Sequence, residues 1–138
     1  MYKRQEFIVA THAAVYLNHK KKTLSSEEIA GNVCTNPARV RKVLAKLKKA
    51  GIVSTKEGVD GGYLFTGDAS QVTLFAIFTA VDDKMVALNW KSGDPDMDCL
   101  IASGMAGIME GIFDELNEAC MEKLKKITVA DIDGKIFK

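Results

Sequence analysis

The residues best placed to do chemistry lie between Asn36 and Gly51, where Arg39, Arg41, Lys42, Lys46, Lys48 and Lys49 occur without a single acidic residue among them. At helical spacing, Val40, Val43, Leu44 and Leu47 share one stripe. Ala38, Lys42, Ala45 and Lys49 share the opposite face, flanked by Arg39, Arg41 and Lys46. Cationic side chains on one face attract phosphates by releasing condensed counterions, and outward alanines let the helix backbone approach a groove closely. The chemistry is that of polyanion recognition. Asn36, Ala38, Arg39 and Lys42, nearest the start of the helix, are the candidates to reach base edges. A merely solvated lysine-rich face is the competing reading of this helix taken alone.

The remaining reactive residue types point nowhere comparable. Cys34, Cys99 and Cys120 are odd in number and far apart, without a C-x-x-C pair. Cys99 and Cys34 are the candidate redox positions. Asp94, Asp96 and Asp98 are expected to raise the pKa of Cys99, and Cys34 is expected to be a small buried thiol. The alternating aspartates resemble the start of a calcium loop, but Cys99 stands where the glycine belongs and Met105 where the closing glutamate belongs, so no metal is expected. His12 and His19 are read as structural or surface residues. No nucleophile sits beside a plausible base and no glycine loop is placed to cradle a phosphate, so no catalytic residue and no enzyme activity are expected.

The elements that must position the basic helix are legible from capping signals. Glu6–Leu17 has the apolar spacing of an amphipathic helix, ended by Lys20, Lys21 and Lys22. Ser25 and Glu28 form a capping box, with Leu24 and Ile29 as its hydrophobic staple, for a second helix from Ser26 to about Val33. Asn36 as N-cap and Pro37 at the first helical position open a third helix that stops at Gly51. Two helices separated only by the residues around Cys34 and Thr35 have helix-turn-helix spacing. Ile52–Lys56 and Tyr63–Thr66 read as strands joined by a turn with Gly58, Gly61 and Gly62, a hairpin shaped to serve as a wing.

Charge divides the chain. Up to Tyr63 there are twelve basic and five acidic residues, and from Leu64 onward seven basic and thirteen acidic, so a net charge of +1 conceals a basic half and an acidic half. A polyanion would meet the first. The expected fold is mainly α with a small β-hairpin wing: a winged helix-turn-helix with its connecting helix over residues 1–82, then a loop, a long dimerisation helix and a short final helix over 83–138. No apolar run is long enough for a membrane span, and the first residues lack a signal-peptide core, so a cytoplasmic protein is expected.

The stretch from Leu24 to Tyr63, with LSSEEIA, TNPARVRKVLAKLKKAGIV and EGVDGGY, resembles the Rrf-two family of bacterial winged-helix transcription regulators. VTLFAIFTAVD is similar to that family's connecting helix, Ile101–Lys126 to its dimerisation helix and ITVADI to its last helix. The resemblance implies a homodimer that binds double-stranded DNA at a palindromic operator, usually as a repressor. The DNA-contacting set is then Ser26 and Thr35, with Asn36, Ala38, Arg39, Arg41, Lys42, Lys46 and Lys49 on the third helix and Gly58, Gly61, Gly62 and Tyr63 in the wing. Two departures stand out. Cluster-binding members carry three close cysteines before the dimerisation helix, whereas the loop Lys84–Cys99 holds only Cys99, so no iron–sulfur cluster is expected. Phe65, Thr66 and Gly67 replace the basic residues that often follow the glycine pair, which weakens the wing's grip.

The long C-terminal helix bears the apolar residues Met105, Ile108, Met109, Ile112, Phe113, Leu116 and Cys120, more than cover of the first half needs, and the first six are assigned to dimerisation. Gly104, Gly107 and Gly111 lie nearly opposite. They are expected to serve a close helix crossing, or an effector pocket beside Trp90 and the methionines, unless the helix start is frayed. A small molecule, thiol oxidation or a partner protein acting on this region and altering the distance between the two heads is the expected signal. The alternative function is a winged-helix interaction module that binds protein rather than specific DNA.

Overall fold

The computed structural model describes residues 3–81 and 85–138, with side chains from Gln5 onward. Its described elements are α1 (Lys3–Lys20), α2 (Ser26–Val33), α3 (Pro37–Lys49), β1 (Val53–Lys56), β2 (Gly62–Phe65), α4 (Leu74–Val81), α5 (Leu100–Leu124) and α6 (Val129–Ile136). This is the mainly α architecture with one hairpin that the sequence implies.

Local signals set most of the boundaries. The Ser25 hydroxyl accepts the Glu28 N–H at 3.1 Å, and the Glu28 carboxylate accepts the Ser25 N–H in return, closing the capping box of α2. The Asn36 side chain caps α3 by accepting the Arg39 N–H at 2.8 Å, with Pro37 where its missing N–H costs nothing. At the other end Gly51 takes φ +80° to turn the chain into β1. The first helix is longer than its apolar pattern suggests and runs through Lys20 before Lys21 breaks it at φ 54°.

The chain divides into two compact units, Met1–Asp83 with Leu124–Lys138, and Lys84–Lys123. In the first, α1 is the hub. Ala10, Ala13, Ala14 and Leu17 are wholly buried, as are Val40, Val43, Leu44 and Leu47 of α3 and Ile77 and Phe78 of α4. Phe7 meets Phe78 edge to face, with ring centroids 5.3 Å apart. The C-terminal segment returns to this unit: Leu74 donates to Ile127 and Val129 donates to Val72, forming a short backbone bridge that sets α6 beside α1. The division expected between residues 82 and 83 falls outside the described residues, as does Lys84. Residues 124–138, expected with the second segment, belong to the first, because this bridge pairs backbone groups that α5 cannot offer.

In the second unit, the Asn117 amide on α5 accepts the Val86 N–H at 2.8 Å and donates to the Val86 carbonyl at 2.6 Å, so one side chain stands in for a strand partner to the loop. Nearer the helix start, Asp94 donates to the Ala102 carbonyl, and Gly93, at φ 68°, passes so close that a Cβ would strike that carbonyl. None of the α5 residues before Leu124 is buried.

Candidate nucleic-acid interface

Helix α3 presents its cationic face as its stripe requires. With Val40, Val43, Leu44 and Leu47 in the core, Ala38, Arg41, Lys42, Ala45, Lys48 and Lys49 are exposed and Arg39 and Lys46 half-exposed. The turn before it is tight. Both Cys34 and Thr35 donate to the Ala30 carbonyl, and Cys34 takes the left-handed conformation at φ 65° usually left to glycine or asparagine. The residue is exposed, its Sγ directed at the carbonyls of Gly31 and Asn32 on the same helix end, which corrects the expectation of a buried cysteine.

The wing is fastened to the helix-turn-helix by backbone. β1 and β2 pair antiparallel with Val53 opposite Phe65 and Thr55 opposite Tyr63. Tyr63 and Leu24 then exchange both backbone hydrogen bonds, 2.8 and 2.9 Å long, which joins the residue before the α2 cap to the hairpin. Gly62, at φ 150°, lies against the Leu24 carbonyl where no Cβ fits. Gly61 is confined by the carbonyls of Lys56 and Gly58, and Gly58 itself, at φ 103°, is in open space at the tip. Gly61, Gly62 and Tyr63, nominated as DNA contacts, therefore first have the work of shaping and anchoring the wing.

Several nominated side chains are already engaged. Ser26 is buried; it accepts from Arg41 Nη1 at 3.1 Å and donates to Glu27 at 3.2 Å, so its hydroxyl organises Arg41 rather than facing a phosphate. Asn36 has its oxygen committed to the cap. Lys46 donates to Glu6 Oε2 at 2.9 Å, and Lys42 lies 3.7 Å from Glu6 Oε1. Glu6 is 4% exposed. A buried carboxylate is tolerable only when paired, so these two lysines compensate α1 as well as charging α3. Among the described cations of α3, Arg39 and Lys49 have neither an ion-pair partner nor a side-chain hydrogen bond and are the ones left to an external anion.

The sequence reading missed Glu6, although a signal was present: Glu6, Ala10, Ala13 and Leu17 fall on the same helical stripe, which placed an acid on a buried face. It also missed the Lys48 bond to Thr55 Oγ1, 2.9 Å long, which braces α3 against β1. His12 donates to Asn32 across α1 and α2, and His19 stacks on Phe137, both consistent with structural roles.

For Cys99 the expected direction was wrong. The backbone N–H groups of Ala102 and Ile101, at the start of α5, hold its thiol below the usual cysteine range, and the nearby aspartates do not reverse this. On α5, Met105, Ile108, Met109, Ile112 and Leu116 are all exposed, Ile108 most, while Phe113 is half-buried. Gly104, Gly107 and Gly111 have open space where a Cβ would be, so nothing among the described residues requires them.

A helix-turn-helix whose second helix is cationic, followed by a backbone-anchored hairpin, defines a winged-helix domain of the nucleic-acid-binding type. The family described as "Rrf2: Iron-dependent Transcriptional regulator" matches residues 4–134. The chain is 30% identical over 129 residues to YwnA of Bacillus subtilis, a candidate HTH-type transcriptional regulator, covering 94% of this chain and 95% of that one. It is also 28% identical over 93 residues to the HTH-type transcriptional regulator IscR of Yersinia pestis, and that match covers 67% of this chain and 54% of IscR. Among solved structures, a candidate transcriptional regulator from Lactobacillus plantarum superposes with a TM-score of 0.82 at 21% identity, covering 95% of this chain and 89% of that one. The chain belongs to the Rrf2 family of transcriptional regulators.

Proposed function

We propose that the protein is a cytoplasmic, homodimeric, sequence-specific DNA-binding repressor that places α3 in the major groove of each half of a palindromic operator. The observation that carries this reading is the acid-free face of α3, with Ala38 and Ala45 outward and Arg39 and Lys49 unpaired, presented beside an anchored wing. The dimer is supported by α5, whose apolar residues Met105, Ile108, Met109, Ile112 and Leu116 are exposed. Two copies meeting through them would give the two-fold symmetry a palindrome mirrors.

The chain's own residues do not suit an iron–sulfur cluster. Cys99 precedes α5 and Cys120 lies about six turns along it, roughly 30 Å away at 1.5 Å per residue, too far apart to share one cluster within a chain. Among the described residues, no group of three or more His, Cys, Asp or Glu side chains is placed to hold a metal. Regulation in this reading comes from a ligand or partner rather than a bound cluster. Fluorescence anisotropy with the protein's own promoter and a scrambled duplex tests the reading: tight, salt-sensitive preference for the promoter supports it, and equal weak binding to both opposes it.

A further inference from the structure

Arg41 of α3 is held along one side of its guanidinium. Its Nη1 donates to Ser26 Oγ at 3.1 Å and lies 3.8 Å from Glu27 Oε1, while the Ser26 hydroxyl donates to Glu27 Oε2 at 3.2 Å, so the three side chains close a ring. Ser26, 7% exposed at the start of α2, gives that ring a fixed anchor. The Arg41 side chain is nevertheless 52% exposed, and its Nε and Nη2 have no hydrogen-bond partner among the described residues. Those two nitrogens form one edge of a planar group, a pair of parallel donors whose direction is set by the bonds at the third. Ala38 and Ala45, three residues before Arg41 and four after it, are its neighbours on the helix surface, and both are exposed. Small side chains above and below leave the donor edge open to a flat partner.

We propose that Arg41 reads a guanine in each operator half-site, with Ser26 and Glu27 as the positioning residues that aim it. The inference deepens the DNA-binding reading and rests on it. Glu27 decides between the acceptors that DNA offers. A phosphate bound to Arg41 would bring a second negative charge beside a carboxylate that already lies 3.8 Å from the guanidinium. O6 and N7 of guanine are neutral acceptors spaced for two parallel donors, and they bind the free edge without that repulsion. Adenine sets a donor beside its N7, cytosine presents a donor and thymine a single oxygen, so none of them accepts both bonds. The cations of α3 then divide in role: Arg39 and Lys49 are left for phosphates, and Arg41 for a base edge. Fixing the guanidinium before DNA arrives also reduces the side-chain entropy lost on binding.

Selection of duplexes from a randomised library by the full-length protein, followed by fluorescence anisotropy on the selected duplex, tests the assignment. Each guanine of the selected motif is replaced in turn by 7-deazaguanine, which keeps Watson–Crick pairing and removes the N7 acceptor. The readout is the ratio of affinities for the parent and replaced duplexes; because both are measured on one variant, a loss of folded protein cancels. The wild type is expected to select a two-fold motif with one guanine per half-site whose replacement weakens binding by about tenfold, within the range of a single bidentate pair. In Arg41→Ala the ratio should fall to one. Ser26→Ala and Glu27→Ala keep the arginine but release it, and each should lower the ratio by about threefold. A ratio unchanged in Arg41→Ala, with both duplexes bound more weakly, would place Arg41 on a phosphate and overturn the proposal. So would a ratio unchanged in either positioning variant, or a selected motif in which no guanine is sensitive to replacement. In all three cases the DNA-binding reading stands; selection of no motif by the wild type would overturn that reading and the proposal together.

Discussion

Lys46 of α3 donates a 2.9 Å hydrogen bond to Glu6 of α1, a carboxylate almost wholly withdrawn from solvent. The pair fixes the cationic helix to the hub of the core at the cost of tying up one of its charges. Removing Lys46 takes the hydrogen bond from a buried carboxylate and leaves only Lys42, 3.7 Å away, to offset it, whereas removing Lys49 strands nothing. Lys46→Ala is therefore expected to destabilise the fold by about 1–3 kcal/mol in urea unfolding, and Lys49→Ala by less than about 0.5 kcal/mol. Equal costs for the two variants would mean that Glu6 is satisfied without Lys46.

Gly62 is the hinge of the wing. With φ at 150° and the Leu24 carbonyl in the space a Cβ would fill, Gly62→Ala is expected to break the Leu24–Tyr63 bridge. Hydrogen exchange would report this as lost protection of the Leu24 and Tyr63 amides, while α1 amides stay slow. Gly58→Ala, which meets open space but shares the positive φ, should leave that bridge intact.

Cys99 should be the reactive thiol for a reason rooted in the backbone. A pKa below the usual thiol value means more thiolate at neutral pH, so iodoacetamide should modify it faster than free cysteine at the same pH. In a variant lacking Cys34 and Cys120, the midpoint of the alkylation rate against pH should lie below that of free cysteine. A midpoint at or above it would show that the aspartates, rather than the α5 amides, set its environment.

The apolar face of α5 is expected to hold two copies together. Ile108→Glu with Ile112→Glu places charge on two of its exposed apolar positions and should convert a dimer to folded monomers in sedimentation velocity, with helical content by circular dichroism unchanged. A dimer that survives both substitutions places the interface elsewhere.

What the sequence made legible was what neighbours in sequence determine. Ser25 with Glu28, Asn36 with Pro37, and Gly51 each act within a turn of themselves, and the boundaries of α2 and α3 followed from them. The apolar stripe of α3 was equally readable because its period depends on no distant partner. Contacts across long separations were hidden. Glu6 meets Lys46 from forty residues away, and Thr73 pairs with Thr128 only because the chain returns after α5. Cys99 was misread since the sequence displays its aspartates and conceals the two backbone amides, of Ala102 and Ile101, that lower its pKa. Ser26 and Tyr63 were legible as members of the interface region but not as the residues that build it, because their partners, Arg41 and Leu24, are set by the fold.

The most direct test of the account is the salt dependence of promoter binding for wild type and for Arg39→Ala/Lys49→Ala, measured by fluorescence anisotropy. Each of these unpaired cations that meets a phosphate should contribute about one unit to the slope of log affinity against log salt. The account predicts weaker binding by the double variant with a slope shallower by about two and thermal stability unchanged. An unchanged slope and affinity would contradict the placement of α3 on DNA.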